Sequence, residues 1–219
     1  MATKIIIISQ IDSTHNGPVA KGPNRKEQKI HIQQGDVDGA CGPYCLLISL
    51  LICGVIWRTE VTSLAARGSN KSFSEFLERI DKFSSLFREG TDIDDLRKLI
   101  RKNFRKEIKA CVKEKCNKDI VEFVKDHIHT DHPVILGLDF RRGGHWVVVV
   151  GLEYIVRKSG DEELCRFLVL DPSDPAPKVS AWNGVIDARQ STKGRYPYEW
   201  WTAKDTKVNL DEAIAIWRE

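Results

Sequence analysis

The chain has 219 residues, 42% of them hydrophobic and 30% charged, and its 34 basic and 31 acidic side chains leave a formal net charge of +3. This is the make-up of an ordinary folded protein, and so mild a charge excludes a polyelectrolyte drive toward nucleic acid or anionic lipid. No linker rich in proline, glycine or serine divides it, so one domain spanning residues 1–219 is expected.

Near the N-terminus, Lys4 to Gln10 is rich in β-branched residues and reads as a strand. Its apolar part, Ile5 to Ile8, is too short for a secretory signal. Residues 12–29, punctuated by Asn16-Gly17-Pro18 and Gly22-Pro23, read as an irregular and mobile arm, so residues 1–29 are expected to be a strand followed by that arm. Leu46 to Trp57 is the longest apolar stretch, interrupted by Ser49, Cys53 and Gly54. It falls short of the ~18 residues of a membrane span and reads as a buried helix. Pro43 is tolerated only in a first helical turn, which sets the helix start at Cys41 or Gly42. Ser72-Phe-Ser-Glu75 has the spacing of a capping box, with Phe73, Phe76, Leu77, Ile80, Phe83 and Phe87 at helical intervals behind it. Further helices are expected from Thr91, with Ile93, Leu96, Leu99 and Ile100 inward, and from Lys118, with Ile120, Val121, Val124 and Ile128 inward. Between these two, Ile108, Ala110 and Val112 alternate as in a short strand.

From Pro133 the texture changes. Val134 to Leu138, Trp146 to Val150 and Leu164 to Leu170 read as strands, separated by Gly143-Gly144 and by Lys158 to Glu163, with Tyr196 to Trp201 a further candidate. Leu210 to Trp217 reads as a terminal helix capped by Asn209. Helices first and strands second give an α+β expectation, with an N-terminal central helix and helical region packed on a C-terminal antiparallel sheet.

The chemistry is carried by an ordered set: Gln34, Cys41-Gly42-Pro43, Gly144-His145-Trp146 and Leu170-Asp171-Pro172. A thiolate at the start of a helix is stabilised by the partial positive charge of the first-turn N–H groups, and those groups also suit an oxyanion. Cys41 is the candidate nucleophile, His145 the base and Asp171 the group that orients it. Gln34 is the second oxyanion donor, with Gln33 as the alternative register. Gly42, Gly144 and Trp146 are expected to line the substrate site. Cys45, one turn along the helix, reads as core. Arg141 and Arg142 read as solvated surface, or as guides for an acidic substrate, while Trp182, Trp200 and Trp201 are either core or groove residues.

These motifs resemble those of papain-superfamily cysteine peptidases, nearest to the bacteriocin-leader-processing, double-glycine branch and its stand-alone relatives. The resemblance covers residues 30 to 175. It implies a papain-like fold and an acyl-thioester mechanism on Cys41, His145 and Asp171, with Gln34 at the oxyanion. The helical region between Cys41 and His145 is larger than in the leader peptidases, so leader processing is not implied. Expected instead is a cysteine protease, in the manner of a bacterial effector or toxin. Glutamine deamidation or transglutaminase-like acyl transfer on the same triad is one alternative, and a catalytically silent binding module, with the segment from His15 to His31 filling the site, is another.

The expected partner is a protein or peptide substrate, with no nucleic acid and no membrane, and oligomeric state stays open. No cofactor or metal is expected. Cys111, Cys116, His127, His129 and His132 have the residue types of a zinc site but loose spacing, and Asp36-Val-Asp38 lacks the later ligands of a calcium loop. Six cysteines (41, 45, 53, 111, 116 and 165) without a secretory signal suggest reduced thiols and a cytoplasmic location, leaderless export remaining open.

Overall fold

The computed structural model describes residues 2–34, 40–62, 90–114, 117–190, 194–202 and 205–218. Its strands are β1 (Ala2–Ile7), β2 (Asp12–Thr14), β3 (Gly17–Lys21), β4 (Glu27–Lys29), β5 (Lys109–Glu114), β6 (Val134–Phe140), β7 (Gly143–Val156), β8 (Glu162–Leu170), β9 (Gly184–Asp187), β10 (Tyr198–Trp201) and β11 (Asp205–Trp217). The helices are α1 (Cys41–Ile52), α2 (Arg58–Thr62), α3 (Ile93–Asn103) and α4 (Asn117–His129).

Six of these strands close on themselves. β7, β6, β11, β10, β9 and β8 are neighbours in that order, and β8 pairs back onto β7, so the ring is an antiparallel barrel. β1 extends it along β7, and β5 along β11. This corrects the expected helical region packed on a C-terminal sheet. The protein is mostly sheet, with few helices among the described residues, and strands from both halves of the chain enter one eight-stranded sheet.

Two misread segments account for the difference. The presumed terminal helix from Leu210 to Trp217 is the second half of β11, paired with β6 on one edge and β5 on the other. Its apolar residues fit helical spacing, but Ala213 to Ile216 form a continuous buried run, the pattern of a strand covered on both faces. The presumed mobile arm holds the small sheet β2-β3-β4. The short strand β9, which closes the ring between β8 and β10, gave no sequence signal. Gly143 and Gly144 are not a separator but the first residues of β7, paired with Phe140 and Asp139.

The helices at Cys41, Ile93 and Asn117 and the strands β5, β6, β8 and β10 form where the residue patterns place them. The helix expected behind Ser72 and Glu75, the Asp36-Val-Asp38 loop and Cys116 lie outside the described residues. α1 is buried almost all round because β7 and β6, β3 and α3 all pack against it. A helix apolar on every side is stable only in such a position. It ends at Gly54, whose positive φ of 65° suits the left-handed position after a helix C-cap and whose missing side chain lets the Lys21 carbonyl approach.

Candidate active site

Cys41 is the first residue of α1, and the residue before it is Ala40, which has no side-chain group able to cap the helix. The first-turn N–H groups are therefore not satisfied by an N-cap side chain, in contrast to α3, where Asp92 accepts from the Asp95 N–H at 2.7 Å. Cys41 lies in the wall of a cavity of about 720 Å³ together with Gln34, Gly144, His145 and Trp146.

β7 and β8 pair antiparallel with Val148 opposite Leu170, which brings His145 and Asp171 to the same end of the barrel. His145 Nε2–H donates to Asp171 Oδ1 at 2.8 Å. The Cys41 thiol lies close enough to the same imidazole to act on its protonation, and with Asp171 on Nε2, Nδ1 is the ring nitrogen left to exchange a proton. Burial opposes protonation of His145. The hydrogen bond with Asp171, the adjoining Cys41 thiol and the negative charge each can carry outweigh it and push His145 up to about 9.

Asp171 is 1% exposed and held from three directions. Its backbone N–H donates to Asn183 Oδ1 at 2.7 Å, and its carbonyl accepts from Asn183 Nδ2 at 2.9 Å and His31 Nε2 at 2.9 Å. Its Oδ1 also accepts the Ser173 N–H at 2.8 Å, an Asx turn that fixes the carboxylate toward His145. His31 thus buttresses Asp171 from behind, so the segment from His15 to His31 does not supply a plug through His31.

Trp200 stacks on the His145 ring, with centroids 5.2 Å apart at an interplanar angle of 23°. Trp201 lies beneath Arg166, and Trp182 packs partly buried against the core. Trp146 turns into the cavity wall, donating from Nε1 to Thr91 O at 2.8 Å. Its indole leaves so little room over Gly42 that a Cβ there would stand 3.3 Å from Cδ1 and 3.0 Å from the Thr91 Cβ. Gly42 and Trp146 are therefore coupled by packing, while Gly144 is exposed at the mouth.

Of the two glutamines, Gln34 lines the cavity and Gln33 is exposed. The Gln34 N–H donates to Pro172 O at 2.8 Å, tying the loop before Cys41 to the residue after Asp171. Its Oε1 is buried without a hydrogen-bond partner among the described residues.

The thiols of Cys45 and Cys53 are held in their neutral form. Burial pushes Cys45 well up, with the charges of Cys41 and Asp171 adding to it, and Cys53 is pushed up to about 12. Cys111 is exposed on β5. His127 and His132 meet through their Nδ1 atoms at 3.1 Å, and His129 contacts the Tyr154 hydroxyl at 2.8 Å. Among the described residues no three metal-ligating side chains are grouped to hold an ion. Nor is any helix among them long and apolar enough to cross a membrane. Arg141 and Arg142 are exposed and stay out of the cavity wall.

Asn183, His31 and Trp200 are the site residues that sequence reasoning missed or left undecided. Asn183 and His31 come to Asp171 only through barrel closure and the small sheet, so no local motif marks them.

No family model matches the chain, and no curated protein matches it. Among solved structures it is similar to the crystal structure of UfSP from C. elegans, at 14% identity and a TM-score of 0.42. The likeness covers 100% of this chain and 35% of that one, so the chain spans about a third of its length. So slight a likeness carries no argument about activity, and the double-glycine branch gains no support from these comparisons.

Proposed function

We propose that the protein is a cysteine hydrolase that opens an amide bond of a protein or peptide through an acyl-thioester on Cys41. The observation that carries the reading is Cys41 at a helix start beside His145 in the wall of an open cavity, with His145 hydrogen-bonded to buried Asp171. His145 takes the thiol proton as sulfur attacks the carbonyl carbon. The oxyanion that forms is received by the Cys41 N–H and the Gln34 side-chain amide. Collapse of the tetrahedral adduct expels the amine, which leaves with the proton held by His145. Water then attacks the thioester, its proton passing to His145, and the acid departs as the thiolate is restored. Asp171 keeps the imidazole in the orientation both steps need and stabilises its charged form.

A cavity lined by Cys41 favours this reading over a silent binding module with a blocked cleft. The test is incubation with a proteome-derived peptide library, with Cys41→Ala as the control. New peptide termini dependent on Cys41 support hydrolysis. Conversion of glutamine to glutamate, or amine incorporation, would reassign the same residues to deamidation or acyl transfer, and no Cys41-dependent product of any kind would overturn the enzyme reading.

A further inference from the structure

The cavity that reaches Cys41 is acidic. Asp92, Asp95, Asp139, Asp211 and Glu212 line it, although the chain as a whole carries a net charge of +3. Two of these carboxylates are compensated at the rim, Asp95 by Lys98 at 3.5 Å and Asp139 by Arg195 at 3.3 Å. Asp92 is occupied in capping α3. Asp211 and Glu212 have no ion pair among the described residues. The groups that act on Glu212 are Asp211, Glu114, Asp92 and Asp94, all acidic, and burial first and then these charges push its carboxyl up to about 7.

The backbone of β11 accounts for both residues lining one cavity. Successive residues of a regular strand face opposite ways, but β11 slips its register on β6 between Leu210 and Glu212. Asp211 is the extra residue of that bulge, and the slip lets Asp211 and Glu212 line one cavity. A separate feature of the wall also points to a ligand. Thr91 is 8% exposed, and its Oγ1 is buried without a hydrogen-bond partner among the described residues. Its hydroxyl can donate one hydrogen bond and accept others.

We propose that Asp211 and Glu212, with the Thr91 hydroxyl, form a subsite for a cationic side chain, lysine or arginine, of the protein or peptide on which Cys41 acts. The inference rests on Cys41 being the nucleophile. A cationic side chain supplies both a positive charge to Asp211 and Glu212, which have none paired with them among the described residues, and N–H donors from which Thr91 Oγ1 can accept. The carboxylates are spread along the wall and do not converge as metal ligands do, which favours an ammonium or guanidinium over a bare cation.

The experiment uses peptidyl acyloxymethyl ketones with Lys, norleucine or Glu at either of the two residues nearest the warhead. Their rates of Cys41 alkylation are read by intact mass at about pH 8, where Glu212 is ionised. In at least one position the Lys probe should react about tenfold faster than norleucine, with Glu slowest. That preference should shrink toward unity as salt is raised from about 0.05 M to about 0.5 M in the unmodified protein. The Lys-to-norleucine ratio should also collapse in Asp211→Asn/Glu212→Gln. Equal rates for the three probes, on a Cys41 that iodoacetamide labels in a His145-dependent way, would refute the subsite and leave the nucleophile standing. Loss of His145-dependent labelling itself would refute both.

Discussion

Replacing Asp171 by Asn removes a charge while leaving almost everything else in place. Asn183 and His31 hold Asp171 through its backbone N–H and carbonyl, and those bonds survive the substitution. Asn also keeps an Oδ1 to accept from the Ser173 N–H and from His145 Nε2–H. What disappears is the negative charge 2.8 Å from the imidazole, the main counterweight to the burial that opposes protonation of His145. His145 should therefore fall from about 9 part of the way toward the ordinary 6.5. With the Cys41 contribution retained, a fall of about 1–2 pH units is expected, equivalent to ~1.4–2.7 kcal/mol of lost imidazolium stabilisation. The assay is the titration of the His145 Cε1–H signal by NMR in the native protein and in Asp171→Asn, with the folded state checked by the remaining spectrum. A midpoint that moves by less than about half a unit would refute the argument that Asp171 sets the charge of His145.

Because His145 is raised above its unfolded value, its contribution to stability is complete below about 6.5 and is lost as pH rises through about 9, a span worth ~3 kcal/mol; urea unfolding across that window should show the decline, and His145→Gln should flatten it. Asn183→Ala strips the partner from the N–H of buried Asp171 and should cost ~1–3 kcal/mol in urea unfolding as well as slow Cys41 labelling; an unchanged midpoint would contradict the bracing role. Gly42→Ala drives a Cβ to 3.0 Å from the Thr91 Cβ, and Trp146 is pinned to Thr91 by its Nε1 bond, so a loss of ~1 kcal/mol and a fall in Tm of ~2–4 °C are expected by calorimetry. Trp200→Leu removes the ring stacked on His145 and should lower the His145 titration midpoint by less than about a unit, as a cation–π contact of ~0.5–1 kcal/mol would require.

How much of this was legible in the chain depended on the range of the forces involved. The position of Cys41 at a helix start followed from Pro43 alone, a local steric rule, and the structure begins α1 there. The approach of Asp171 to His145 followed from one hairpin, and β7 and β8 do pair antiparallel across it. The barrel did not follow. Its closure runs through β9, four residues long, and through β11, whose Leu210, Ala213, Ile214 and Trp217 repeat like a helix until β5 and β6 cover both of its edges. The same distance in sequence hid Asn183 and His31, whose contacts with Asp171 span 12 and 140 residues. Reading β11 as a helix also concealed the bulge that turns both Asp211 and Glu212 toward the cavity. The choice between Gln33 and Gln34 was a matter of one residue of register, and it is the Pro172 carbonyl, holding the Gln34 N–H, that settles which of them lines the cavity.

The central claim is that His145 makes Cys41 a nucleophile, and alkylation by iodoacetamide between about pH 5 and pH 9, mapped to each cysteine by mass spectrometry, tests it most directly. The account predicts that Cys41 labels rapidly on the acidic side of this range, far ahead of Cys45, Cys53 and Cys165, and that His145→Ala abolishes the advantage. Slow labelling of Cys41, equal to that of the other buried thiols and indifferent to His145, would contradict it.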